Sequence, residues 1–308
     1  MARFRVHILG CGSALPNLKH NTSSQLVEIH DKFFMVDCGE GTQLQLRKSK
    51  VHFSKINAVF ISHLHGDHCF GLMGLVSTFG LLGRTAPLHI FAPKEMQELF
   101  DIQQRMFCST FEYKLVFHPL ETTENKVIYE DKSLTVTTVP LCHRIPCCGF
   151  LFKEKPRLPH INREACDFYG VPQSQYNNIK NGLDWINADG ETVENAKLVL
   201  PADKPLSYAY CSDTRYIPDL YRLVAGVDVL YHESTYTDAD VKQAAKYNHS
   251  TARQAASVAR DAGARMLLLG HYSSKYGNES CILEEAKSVF PNARLTNEMM
   301  VCDVEKAK

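Results

Sequence analysis

Short apolar, β-branched runs recur along this chain, and many of them end in a residue that can bind a metal or move a proton. Residues 3–9, 25–29 and 33–36 read as strands, the last two joined by a turn near Asp31-Lys32. Residues 56–61 read as a buried strand, and residues 70–82 carry apolar side chains at helical spacing. Residues 88–91 predict a strand and 94–105 a helix. Residues 134–139 alternate apolar with Thr-rich polar positions, a further strand. Residues 208–210, 227–231 and 266–269 predict three more strands, and 299–303 a last one. Helices are expected over 252–262, with Ser250 as N-cap and Gly263 as stop, and over 279–290. The rhythm is that of an α/β protein. Gly10 to Ser13 reads as a turn. Asp37-Cys38-Gly39-Glu40-Gly41-Thr42-Gln43 opens a helix through about Lys48. There Thr42 can serve as N-cap, or Asp37 can accept the free N–H of a ligand histidine; both readings stay open.

The strand exits carry the chemistry. His63, His65, Asp67 and His68 follow strand 56–61 within six residues, on a loop where α/β proteins place their sites. Imidazoles suit zinc, iron or copper, and carboxylates can bridge two ions. Two histidines one residue apart can ligate one ion, and Asp67-His68 can turn toward a second. His143, Asp213, Glu233 and His271 each stand just past another strand. Each is a weak signal alone. Together they share one position type, and parallel strand exits converge on one edge of a sheet.

Composition narrows the partners. The chain has 308 residues, with Lys+Arg 34 balanced by Asp+Glu 34. A nucleic-acid partner must therefore be met by a local patch and by metal, not by a global field. The 11 cysteines form no CxxC pair, which argues against a thiolate zinc knuckle and for free thiols in a reducing compartment. No leader sequence or membrane span is expected, and the cytoplasm is the default location. Between about 153 and 197 the pattern changes. Lys153, Lys155, Arg157 and Arg163 stand against Glu154 alone over eleven residues, with Pro156, Pro159, Gly170 and Pro172 breaking any long element. Basic groups interleaved with tyrosines read as a nucleic-acid arm inserted into one catalytic domain of 1–308; a solvated excursion is the plain alternative.

The segments DCGEGTQ at 37–43, ISHLHGDHCFGLMGL at 61–75, PLCHR at 140–144, SDTR at 212–215, HEST at 232–235, HSTARQAA at 249–256 and LLGHYSSKY at 268–276 resemble the metallo-β-lactamase superfamily. Within it the chain is most similar to the ribonuclease Z family. HxHxDH alone marks only the superfamily, whereas HSTARQAA with DCGEGTQ is much more specific. The resemblance implies a four-layered αββα sandwich with two zinc ions at one edge. It implies His63, His65 and His143 on one ion, Asp67, His68 and His271 on the other, and Asp213 between them. It implies Asp67 as the residue that orients or deprotonates the nucleophile, and His249, ordered by Glu233, as the proton donor to the leaving oxygen. It also implies a precursor transfer RNA cut to leave a 3′-hydroxyl, a homodimer, and an insertion after 152 that acts as a flexible arm on the RNA. Lys19 and Asn21, in the loop 16–21, are implied RNA contacts with Lys153, Lys155, Arg157 and Arg163. The family's usual Gly-Pro pair is absent from the arm, where Gly170-Val171-Pro172 stands instead.

Three readings compete: a phosphodiesterase or other small-substrate hydrolase on the same fold, a di-iron redox protein, and a non-catalytic RNA-binding module. Members with a di-iron site usually carry a carboxylate where this chain has His65 or His68. The complete set of ligand-type residues argues against a module without catalysis.

Overall fold

Residues 24–38 fold back on themselves at His30-Asp31, where both backbones take positive φ, 50° and 66°. Such a turn matches the right-handed twist of the flanking strands, and it pairs β2 (Ser24–Ile29) with β3 (Lys32–Cys38). The computed structural model describes residues 4–107 and 111–307; Arg3, part of the expected first strand, and Cys108 lie outside them. Around this hairpin β1 (Phe4–Gly10), β4 (Ile56–Phe60), β5 (Leu88–Ala92), β6 (Leu115–Pro119) and β18 (Val301–Asp303) complete a sheet of order β18-β1-β2-β3-β4-β5-β6. From β18 to β3 its pairs are antiparallel, and from β3 to β6 parallel.

The second sheet combines β7 (Val127–Glu130), β8 (Leu134–Pro140) and β9 (Cys148–Glu154) with β14 (Ser207–Cys211), β15 (Val229–Glu233), β16 (Met266–Gly270) and β17 (Ala293–Leu295). Its order is β17-β16-β15-β14-β9-β8-β7, and β14 to β17 run parallel. Parallel neighbours end at the same edge, so β4, β14, β15 and β16 deliver their following residues in register within each sheet.

Phe60 lies between the sheets, fully buried, 4.7 Å from the Phe91 ring and 5.4 and 5.5 Å from Phe150 and Phe152. The opposite pleat of the first sheet, with Met35, Val59, Ile61 and Ile90, packs on Leu46, Leu75, Phe79 and Phe100 of the helices Thr42–Lys48, Leu72–Leu81 and Glu95–Phe107. The helices Ala252–Asp261 and Ser280–Lys287 cover the second sheet over β15, β16 and β17. The result is the four-layered αββα sandwich that the sequence resemblance implies.

A second compact unit comprises Lys132–Leu134 and Lys153–Pro205. It contains the ladders β10 (His160–Ile161) with β13 (Val199–Leu200), and β11 (Trp185–Ile186) with β12 (Thr192–Val193). Its own interior holds Cys166, Val171, Ile179, Val193 and Leu198. The expected insertion of about 153–197 falls inside this unit.

Several local expectations are corrected. The helix expected over 70–82 runs Leu72–Leu81, and a separate short helix, Gly66–Cys69, precedes it. They part at Gly71, whose N–H leaves the helix for the Cys38 carbonyl at 2.9 Å. Consequently Asp67 and His68 stand on the first turn of a short helix, not on the loop that carries His63 and His65. Thr42 is not an N-cap: Gly41 holds that place at φ 83°, with no side-chain cap. Thr251, not Ser250, caps Ala252–Asp261, in a reciprocal capping box with Gln254. The Ser250 hydroxyl donates instead to the Thr214 carbonyl at 2.8 Å. β6, β7, β9 and β17 were not apparent from the residue pattern.

Phe60→Ala should cost about 3–5 kcal/mol of stability, because it opens a cavity among the Phe91, Phe150 and Phe152 rings, which cannot all collapse inward. Chemical denaturation of the two proteins measures the difference, and a loss below about 1 kcal/mol would mean the inter-sheet core does not depend on this ring.

Candidate metal centre

The seven ligand-type residues converge at the shared edge of the two sheets, in two groups. His63 Nε2 and His143 Nε2 lie 3.1 and 3.2 Å from His65 Nδ1, and both are 3.7 Å from Asp213 Oδ2. His68 Nε2 lies 3.3 Å from His271 Nε2. These two nitrogens are 3.4 and 3.1 Å from Asp213 Oδ1, and 3.5 and 3.4 Å from Asp67 Oδ2. Asp213 thus turns one oxygen toward each group. Donors bound to one zinc at 2.0–2.1 Å in tetrahedral geometry would stand about 3.3 Å from one another, which is the spacing found here.

The other ring nitrogens are committed elsewhere. His68 Nδ1 donates to Asp37 at 2.7 Å, and His143 Nδ1 to the Asn248 carbonyl at 2.9 Å. Ser62 Oγ donates to Asp37 at 2.9 Å, so it accepts from His63 Nδ1 at 3.0 Å. Thr235 Oγ1 donates to Glu233 at 2.6 Å, so it accepts from His271 Nδ1 at 2.9 Å. Four imidazoles are therefore fixed with Nε2 as the free lone pair, aimed inward. Such outer partners are the arrangement that orients metal-binding histidines.

The electrostatics ask for cations. Asp37, Asp213 and Glu233 are buried with Asp67 close by. Burial holds His63, His65 and His143 below the usual imidazole range, which favours the neutral, ligating form. Burial alone would raise Asp67 and Asp213, but His68 and His271 outweigh it and hold both carboxyls below the usual range. Asp213 Oδ1 is buried and makes no hydrogen bond. An orphaned carboxylate oxygen facing two imidazole lone pairs is what a bound cation would resolve, so the residues fit a metal pair.

His249 stands beside the two groups, its ring 5.0 Å from His143 and 5.4 Å from His271. Its Nδ1 donates to Glu233 at 2.8 Å, and Glu233 also accepts from the Thr214 N–H at 2.9 Å. Burial pulls His249 down, but the Glu233 charge and hydrogen bond dominate and raise it to about 9. One open cleft is lined by His65, Asp67, Asp213, His249 and His271, with Ala14, Phe70 and Arg144 around them. Phe70, Arg144, Ser62, Thr235 and the Asn248 carbonyl were not singled out from sequence. SDTR and HEST flank the right strands, but nothing in a lone Ser or Thr announces an acceptor role.

The expected RNA contacts are placed separately. Lys19 donates to Glu279, and the Asn21 N–H donates to Glu298 at 2.9 Å. In the second unit Arg157 pairs with Glu154 at 2.7 Å and faces Asp203 at 3.8 Å. Lys153 and Arg163 are exposed, and Arg163 lines a groove with His160, Tyr176 and Lys180.

Two facing mixed sheets with this edge define a metallo-β-lactamase fold. The structure of the metallo-β-lactamase fold protein YhfI from Bacillus subtilis superposes with a TM-score of 0.68 at 20% identity, over 98% of this chain and 99% of that one. Human tRNase Z, short form, does so with a TM-score of 0.70 at 24% identity, over 97% and 99%. Residues 4–158 match the family model described as Anti-Pycsar protein Apyc1, a span that stops before Asp213, Glu233, His249 and His271. Ribonuclease Z of Bacteroides fragilis is 54% identical over 97% of this chain and 98% of its own length. Ribonuclease Z of Phocaeicola vulgatus is 50% identical over the full length of both. The chain belongs to the ribonuclease Z family.

Because Glu233 is what lifts His249, Glu233→Gln should move the His249 titration midpoint from about 9 down toward the ordinary imidazole value near 6.5. An NMR titration of the metal-stripped protein reads this directly, and an unmoved midpoint would remove Glu233 as the cause.

Proposed function

We infer that this chain is a metal-dependent endoribonuclease that removes the 3′ trailer from precursor tRNA, cutting one phosphodiester bond to leave a 3′-hydroxyl on the tRNA. The observation that carries the inference is Asp213 turning its two oxygens to two complete ligand groups, with the His249–Glu233 pair beside them. The full-length relatives are named as ribonucleases, and the human structural neighbour as a tRNase, which supports this substrate class. A small-substrate phosphodiesterase shares the ligands but is not favoured by that family membership.

His63, His65 and His143 would hold one ion, and Asp67, His68 and His271 the other, with Asp213 between. Nitrogen and carboxylate donors without thiolate suit zinc, two per chain. When bound, the pair supplies Lewis acidity to the scissile phosphate and acidifies water near neutral pH. Asp67 has one oxygen toward its ion, which leaves the other to orient the attacking water and take its proton. His249, protonated below about 9 and steered by Glu233, gives its Nε2 proton to the departing 3′-oxygen. The groove with Arg163, His160, Tyr176 and Lys180 offers cations and a ring for an RNA strand, and Lys153, Lys155 and Arg157 add charge to the same unit.

Leu44, Leu81, Leu82, Leu99, Met106 and Phe107 are exposed on or beside the helices of the first outer layer. Apolar side chains in that number on one outer layer support a homodimer that buries them. A cytoplasmic location follows from the substrate; no helix among the described residues is long and apolar enough to cross a membrane.

The test pairs two substrates with two variants. Asp67→Ala should lose at least about a hundredfold in turnover on both an unprocessed tRNA transcript and bis(p-nitrophenyl) phosphate. Deleting residues 156–196 should weaken transcript cleavage strongly, flatten the salt dependence of RNA binding, and spare the small ester. Transcript cleavage at the parental rate after deletion would sink the role of the second unit, and an active Asp67→Ala would sink the assigned centre.

A further inference from the structure

The loop 13–21 touches the metal centre through one backbone donor. The Ala14 N–H donates to Asp67 Oδ2 at 2.7 Å, the same oxygen that faces His68 and His271. Ala14 does this with φ at 54°, a left-handed conformation that a non-glycine residue keeps only when its surroundings impose it. The near end of the loop is fixed beside the ligand His271. There the Ser13 N–H donates to the Tyr272 carbonyl at 3.0 Å, and the Tyr272 N–H to the Cys11 carbonyl at 3.1 Å.

The far end is fixed by His20, which is only 4% exposed. Its Nδ1 lies 3.0 Å from Glu298 and its Nε2 3.3 Å from Glu279. The Cys11 thiol stands 3.3 Å from Nδ1, and the Tyr272 ring lies 5.4 Å from the imidazole. Glu298 also accepts the Asn21 N–H, Glu279 also accepts from Lys19, and the Asn17 side chain accepts the N–H groups of Lys19 and His20 at 2.8 Å each. Two carboxylates from distant segments, Glu279 at the start of helix Ser280–Lys287 and Glu298 before β18, thus meet on one imidazole. The hydrogen bond to Glu298 chiefly, against burial, raises His20 above its ordinary value, so it carries the charge that separates them. Without that cation Glu298 would lose the imidazole and Glu279 would keep only Lys19 as a charged partner.

We propose that His20 is a positioning residue: its ion pairs with Glu279 and Glu298 lock the loop 13–21 so that the Ala14 N–H stays on Asp67 and orients that carboxylate for the reaction. His20 lies outside the cleft lining and acts only through the loop. The proposal rests on the reading of Asp67 as part of the catalytic centre. It assigns a function to a buried charge network that the ligand set and the proton donor do not use.

The experiment measures kcat and KM for bis(p-nitrophenyl) phosphate, together with metal content, in His20→Ala, His20→Arg and Glu298→Gln, with Asp67→Ala as control. The small ester excludes any effect on RNA grip. A carboxylate that loses its orientation should lower kcat about tenfold or more in His20→Ala and Glu298→Gln, with KM within about twofold and metal content unchanged. Arginine, whose planar fork can meet two carboxylates, should restore kcat to within about threefold of the parent. A merely structural role would not give rescue by the bulkier cation. Glu298→Gln keeps the volume of the side chain and carries the test if His20→Ala does not fold. The proposal is overturned if Glu298→Gln or His20→Ala turns over at the parental rate, if His20→Arg is as poor as His20→Ala, or if an extra metal equivalent disappears from these variants. An active Asp67→Ala would instead remove the reading beneath it.

Discussion

Asp37 ends β3 with its backbone at φ 55° and its carboxylate wholly buried. Four donors reach it: the Ser62 N–H at 2.7 Å, the Ser62 hydroxyl at 2.9 Å, His68 Nδ1 at 2.7 Å and the Tyr210 hydroxyl at 2.7 Å. Ser62 follows β4 of the first sheet, and Tyr210 belongs to β14 of the second. One carboxylate therefore ties the loop of the first histidines, the helix of His68 and the facing sheet to a single point. A buried charge is tolerated because every donor around it is used. The same donors set Ser62 to accept from His63, so the tautomers of two ligands on different groups descend from this one residue.

From that point the site is a problem of charge. Carboxylates at Asp37, Asp67, Asp213 and Glu233 are gathered where little water reaches, and the positive charge among the described residues that meets them is imidazole. Burial pushes His63, His65 and His143 toward neutrality, so they cannot supply it. Asp213 keeps an oxygen with no hydrogen bond. Metal ions would complete this balance, and the cleft they would face is where a phosphodiester would bring further negative charge. His249 and His68 are raised instead: against burial, Glu233 lifts His249, and Asp213, Asp37 and Asp67 lift His68.

Much of this arrangement was legible in the residues. An apolar run ending in His, Asp or Glu is a local pattern, and parallel pairing brings the exits of β14, β15 and β16 to one edge, where the residues after β4 and β8 meet them. The central strands of the two sheets and most of their outer helices followed the same periodicity, whereas β6, β7, β9 and β17 did not show it. What stayed hidden depends on contacts across the fold. Asp37, Asn248 and His271 take positive φ, which their residue types tolerate but do not dictate, so the surrounding packing selects it. Gly71 falls in the first turn of the expected helix, but the helix begins after it, and the Gly71 N–H donates to the Cys38 carbonyl. Ser250 and Thr251 are equally good caps by type, and the Thr214 carbonyl decides between them. The second unit reads as an excursion because its strands are two residues long, too short to show a period.

The account stands on two metal ions sharing Asp213. Anomalous scattering at the zinc edge, from crystals of protein never exposed to a chelator, tests this most directly. Two peaks about 3.5–4 Å apart, one within bonding reach of His63, His65 and His143 and the other of Asp67, His68 and His271, with an Asp213 oxygen on each, are the predicted result. A single peak, or two peaks that do not share Asp213, would contradict it.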